Sequence, residues 1–208
     1  MLSYIVSAVF FMQKSKLKVW ELALLLALCL SLCEATVEAG RQSALSEKIV
    51  RLHVIAASDS AEAQAKKLEV RDAVLPLLSG LMSEAGSAAE ASALIESRRA
   101  EIISAAQKAA GEQSVELRFG RESYGSRQTE RYALPAGEYN SLRIILGEGE
   151  GRNWWGVIFP QLDAAAGYAE AAKILGEDEL ALIYEEEGVE LRFKFLEVLE
   201  WLRAMLEN

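Results

Sequence analysis

His53 is the single histidine of a 208-residue chain. It stands between Leu52 and Val54 in an apolar run, and Ser58 and Asp59 follow shortly after. A hydrolytic triad joins such a base to a hydroxyl nucleophile and a carboxylate. The same stretch also reads as a strand, a turn and a helix cap, which gives Ser58 and Asp59 a purely structural task. No Gly-x-Ser-x-Gly elbow supports hydrolysis, so no catalytic residue is assigned. Metal chemistry has less to stand on. Beyond residue 40 there is no cysteine, so a site would need carboxylates. The run Glu185-Glu186-Glu187 is of the kind that usually forms a solvated face. No metal or cofactor is assigned.

The remaining unusual chemistry is recognition. Gly147-Glu148-Gly149-Glu150-Gly151 lacks the Gly-Lys-Ser/Thr ending of a phosphate cradle and carries carboxylates instead. It reads as a flexible acidic loop that adapts to a partner, or as a plain connector. It runs into Arg152, Asn153 and the pair Trp154-Trp155. On a strand adjacent indoles point to opposite faces, so one can fill the core while the other meets a partner or a carbohydrate. The candidate partner-binding set is therefore Gly147, Glu148, Gly149, Gly151, Arg152, Asn153, Trp154 and Trp155.

The elements that must position these residues follow from periodicity and punctuation. Lys14, Lys16 and Lys18 precede an apolar run from Leu22 to Cys33, and Val37 and Ala39 take the −3 and −1 positions of a small-residue cleavage site before Gly40. Residues 1–39 read as a signal peptide or membrane anchor, cleaved after Ala39. Met1 to Phe11 is an unusual apolar lead-in to such a segment, and translation starting at Met12 gives a conventional one. Removing 1–39 takes away three lysines, three acidic residues and both cysteines, leaving the net charge at −9. That charge argues against nucleic acid or anionic lipid as a partner. Membrane association then runs only through the leader or the partner.

After a polar tether, Gly40 to Lys48, the pattern predicts a buried strand over Ile49–Ala57. Asp59 is expected to cap a helix from about Ser60 to Leu78, with Glu62 completing the box and Pro76 shortening the last turn. A second helix is expected over Ala88–Ala110, ended by Gly111. Strands are read at Ser114–Gly120, near Thr129–Leu134 as its hairpin partner, at Tyr139–Leu146 and at Asn153–Pro160. A third helix is expected over Ala164–Leu175, a short strand over Leu180–Tyr184, and a closing helical segment within Val189–Leu206. The fold class is α+β: residues 40–208 form a single compact domain with a mixed or antiparallel sheet and packed helices.

Several blocks resemble a known family. Arg51-Leu52-His53-Val54-Ile55-Ala56-Ala57-Ser58-Asp59-Ser60 and Gln64-Ala65-Lys66-Lys67-Leu68-Glu69-Val70-Arg71-Asp72-Ala73-Val74 are similar to the opening of the stage II sporulation protein R family. So are Leu134-Pro135-Ala136-Gly137-Glu138-Tyr139, Leu142-Arg143-Ile144, Gly147-Glu148-Gly149, Gly151-Arg152-Asn153-Trp154-Trp155 and Phe159-Pro160. The resemblance implies an exported signal of endospore formation. Made in the forespore, it enters the space between forespore and mother cell. There it activates a membrane-embedded aspartic protease that processes the precursor of sigma E. It also implies cysteines directly after the Trp pair and shortly after Phe-Pro, where this chain has Gly156 and Asp163. Competing readings are an extracytoplasmic hydrolase using His53 and a cell-wall or carbohydrate-binding module using Trp154 or Trp155.

Overall fold

The computed structural model describes residues 19–184. The chain divides into two units, Met1–Ala39 and Gly40–Asn208. Helix α1 spans Val19–Glu47. In the first unit its leucines Leu24, Leu25, Leu26, Leu28, Leu30 and Leu32 are exposed. Among the described residues no helix is long and apolar enough to cross a membrane.

The second unit is α+β, with a four-stranded mixed sheet ordered β2-β5-β1-β6. Its strands are β1 (Val50–Ile55), β2 (Val115–Tyr124), β5 (Gly137–Leu146) and β6 (Asn153–Phe159). The central strands β1 and β5 run parallel, and the outer two pair antiparallel to them. Side chains alternate across a strand, and this alternation builds two cores. Val50, Leu52, Val54, Leu142, Ile144 and Leu146 face helices α2 (Ala61–Ser83), α3 (Ala88–Ser97) and α4 (Arg99–Ala110). Tyr139 and Val157 on the opposite face join Leu45, Ile49, Tyr132 and Leu134. That second cluster also takes residues of α5 (Gly167–Ile174) and α6 (Glu177–Tyr184).

Several expectations need correction. The polar tether is helical: Gln42, Leu45 and Ser46 are buried. Asp59 is not the cap of α2. Ser60 is, its hydroxyl accepting from the Ala63 N–H at 3.1 Å, a contact worth about 1 kcal/mol. Pro76 lies inside α2, which continues to Ser83. Burial of Leu78, Leu81 and Met82 beyond it outweighs the lost N–H, since each such side chain contributes about 1.5–3 kcal/mol. The expected single helix over Ala88–Ala110 breaks at Arg98 (φ −104°, ψ 14°).

The expected hairpin is also re-paired. β3 (Arg127–Gln128) pairs only with β4 (Ala133–Leu134), while β2 matches all ten residues of β5. Alternation tells which face a residue takes, not which strand lies beside it. Leu180–Tyr184 is helical, because Glu177, Asp178 and Glu179 fill the first turn of α6 and complement its dipole. The acidic run at 185–187 and the closing segment at 189–206 lie outside the described residues.

Candidate functional site

The loop from Gly147 to Arg152 is pinned along its length. Glu150 N–H donates to the Ala57 carbonyl at 3.3 Å and Gly151 N–H to the Ala56 carbonyl at 2.9 Å. Arg152 N–H donates to Asp59 Oδ1 at 2.7 Å, which is what Asp59 does instead of capping. Lys67, buried on α2, donates to the Arg152 carbonyl at 3.0 Å and to Gln64 Oε1 at 2.6 Å. Burial, and then the neighbouring Arg152, push the Lys67 ammonium below its usual range. Gly147 and Gly149 have φ of +56° and +69°, and a side chain at Gly151 would collide with the Ser58 carbonyl. The glycines are explained by backbone geometry and close approach, not by a need to flex.

The two indoles do take opposite faces. Trp154 packs on the helix side, with the Arg71 guanidinium 5.3 Å above its ring. It borders a pocket of about 320 Å³ lined by Leu75, Pro76, Ile158, Gln161 and Asp163. That volume is at the lower end of the ligand-pocket range. Trp155 packs on the second face, 5.4 Å from the Arg51 guanidinium. Neither ring is fully buried. Gly156 and Asp163, the positions where the family resemblance implies cysteines, are spatial neighbours: a β-carbon at Gly156 would lie 3.2 Å from Asp163 Oδ2. Here the Asp163 carboxylate makes the local tie, accepting from Val157 N–H at 3.3 Å and Tyr132 Oη at 3.1 Å.

On the second face, alternation along β1 places Arg51 and His53 side by side. Arg51 is 1 % exposed and is ringed by Tyr124 at 4.1 Å, Tyr139 at 5.0 Å and Trp155. Such contacts are worth about 0.5–2 kcal/mol each, whereas a buried ion left unpaired costs several kcal/mol. Burial lowers the Arg51 pKa, and the surrounding tyrosines oppose that. His53 is 3 % exposed. It stacks on Tyr124 at 4.4 Å, and its Nδ1 lies 3.1 Å from Asn153 Nδ2. Burial first, then Arg51, Arg143 and Arg127, push its pKa down to about 3.

No triad is assembled. His53 is engaged by Asn153, Ser58 Oγ donates to Ser60 Oγ at 3.2 Å, and Asp59 accepts from Arg152. Among the described residues no three His, Cys, Asp or Glu side chains group to hold a metal. Sequence reasoning placed the loop and both indoles but missed Arg51, Lys67, Arg71, Tyr124 and Arg143. A signal existed for Arg51: a strand otherwise apolar that carries Arg and His at alternate positions has one polar face.

The described residues thus form an α+β domain that gathers candidate recognition groups around a Trp pair. A family profile described as stage II sporulation protein R matches residues 46–166, and the chain belongs to that family. It is 34 % identical over 122 residues to the stage II sporulation protein R of Bacillus subtilis (strain 168), covering 57 % of this chain and 54 % of that relative. The chain thus spans about half the length of the curated relative it matches. No solved structure gives a significant match.

Proposed function

We propose that this protein is an exported signal that switches on a membrane-embedded aspartic protease, which then processes the sigma E precursor during sporulation. One observation carries the reading. The blocks around Asp59, around Lys67 and Arg71, and around Arg152 and Trp154 converge through direct contacts on one corner of the domain. That corner carries an incompletely buried indole beside a pocket instead of a nucleophile beside a base. Such a surface suits recognition of a protein partner, in which aromatic anchors dominate the energy.

Co-expression of the chain with the candidate protease and a sigma E precursor tests the reading. Trp154→Ala should stay folded and lose precursor cleavage. Trp155→Ala should melt early, because Trp155 covers the buried Arg51. Normal cleavage by a folded Trp154→Ala variant would move the activating surface elsewhere.

Export depends on residues 1–39, whose exposed leucines on α1 and basic residues support a leader role. Mass spectrometry of the exported protein should find Gly40 at its N-terminus. Recovery of the uncleaved chain alone would instead make the segment an anchor.

A further inference from the structure

Seven buried side-chain nitrogen or oxygen atoms of the described residues lack a hydrogen-bond partner. Four of them share one patch: Arg51 Nε, Arg51 Nη1, His53 Nε2 and Arg143 Nε. Arg51 and His53 are alternate residues on one face of β1, and His53 stands opposite Arg143 on β5 and opposite Trp155 on β6. With Asn153 Nδ2 donating to Nδ1, the hydrogen of the neutral imidazole is on Nε2. All four orphan atoms are then donors.

The patch therefore lacks an acceptor. Its charge is predominantly positive. Arg51, Arg143 and Arg127 all bear on His53 with positive potential. The carboxylate of Glu122 is already committed, pairing with Arg143 and accepting from Tyr124 Oη. Arg51 makes no ion pair among the described residues. The rings of Tyr124, Tyr139 and Trp155 offset only part of the cost of burying its charge. Buried guanidinium donors in proteins are normally met by a carboxylate or a phosphate. A chain of net charge −9 repels an extended polyanion, and of the single compact anions a carboxylate is the one that an unmodified protein side chain supplies.

We propose that the face around Arg51, His53 and Arg143 is a receptor for one carboxylate, supplied by an acidic side chain of the protein partner. The partner as its source rests on the activator reading above; the carboxylate chemistry does not. Asn153 and Arg127, both exposed, border the patch at the surface. Arg127 lies 6.0 Å from the Trp155 ring and forms the rim. An anion seated there touches the environment of that indole, so its arrival is visible in tryptophan emission.

The test uses the purified full chain at pH 7 in a low-chloride buffer, with no protease present. Sodium acetate and the peptide Gly-Gly-Glu-Gly-Gly are titrated against tryptophan fluorescence and melting temperature. Gly-Gly-Gln-Gly-Gly and matched sodium chloride serve as controls. Both carboxylate probes should produce a saturable change, the glutamyl peptide binding more tightly, and the controls none. Arg127→Gln, at an exposed position, should weaken the response about tenfold or more, the scale of one lost charge-assisted contact. Arg51→Met should abolish it. No response from either probe, or a response unchanged in Arg127→Gln, overturns the site. Equal binding of acetate and the peptide would overturn the partner as the source. Because the readout needs no precursor cleavage, failure here is distinct from failure of the activator reading.

Discussion

Acidification from pH 6.5 to 4.5 should cost the folded domain about 2–3 kcal/mol, and His53→Gln should remove most of that loss. The ordinary pKa of an exposed imidazole is near 6.5, and in the fold it is about 3. Between those values the unfolded chain binds a proton that the folded chain refuses. Stability from this group is complete above pH 6.5 and is lost as pH falls through the window down to 3. Each pH unit inside the window costs about 1.4 kcal/mol.

The groups that face the imidazole all favour its neutral form. Arg51 adjoins it on β1, Arg143 on β5 and Arg127 on β3, while Tyr124 of β2 stacks on it and Asn153 of β6 holds Nδ1. Glu122, the nearby carboxylate on β2, is paired with Arg143. Urea denaturation at half-unit pH steps gives the slope directly. His53→Gln carries a pH-independent penalty for the lost stack, so the slope and not the intercept is the measure. A variant that keeps the native slope would show that the acid sensitivity arises from carboxylates instead.

Much of this architecture was legible because apolar residues had to alternate. β1 and β5 were placed within two residues of their observed ends, since Val50, Leu52, Val54, Leu142, Ile144 and Leu146 face a single core. What lay beyond reach was information that one strand or helix does not hold. The partner of β2 depends on a register with β5 that no local pattern encodes. The break at Arg98 has no Gly or Pro to announce it. The site was half legible. The Trp pair announced itself by type and spacing. Arg51 announced only a polar face of its strand, and its burial follows only once Tyr124, from β2, and Trp155, from β6, close around it. The glycines of the 147–151 loop misled for a related reason. Composition shows that glycine is present, and only the fold shows what its missing β-carbon avoids.

Gly151→Ala should therefore be far more damaging than its single added methyl group implies. The new β-carbon would sit 2.2 Å from the Ser58 carbonyl oxygen and 2.5 Å from its carbon, both backbone atoms, and 2.9 Å from Ala56 Cβ. Neither neighbour can retreat freely. Ala56 accepts the Gly151 N–H at 2.9 Å, and the Ser58 carbonyl accepts from Gln64 Nε2 at 2.9 Å. Relief requires the loop to lift, which breaks the Gly151 bond and pulls Arg152 N–H from Asp59. Overpacking of this kind costs about 1–3 kcal/mol, and each lost hydrogen bond adds about 1 kcal/mol. The sum is about 3–5 kcal/mol, or a melting temperature lower by roughly 10 °C. Gly120→Ala on β2 is the matched control, since a β-carbon there meets nothing within 4 Å. Thermal melts of the two variants should differ clearly, with Gly120→Ala close to the parent. If Gly151→Ala melts with the control, the loop yields easily and its glycines regain a role in adapting to a partner. If it melts early, as the contacts require, the loop is a rigid buttress. Trp154 is then held at a fixed position beside its pocket, and the proposed partner meets a surface already formed before it arrives.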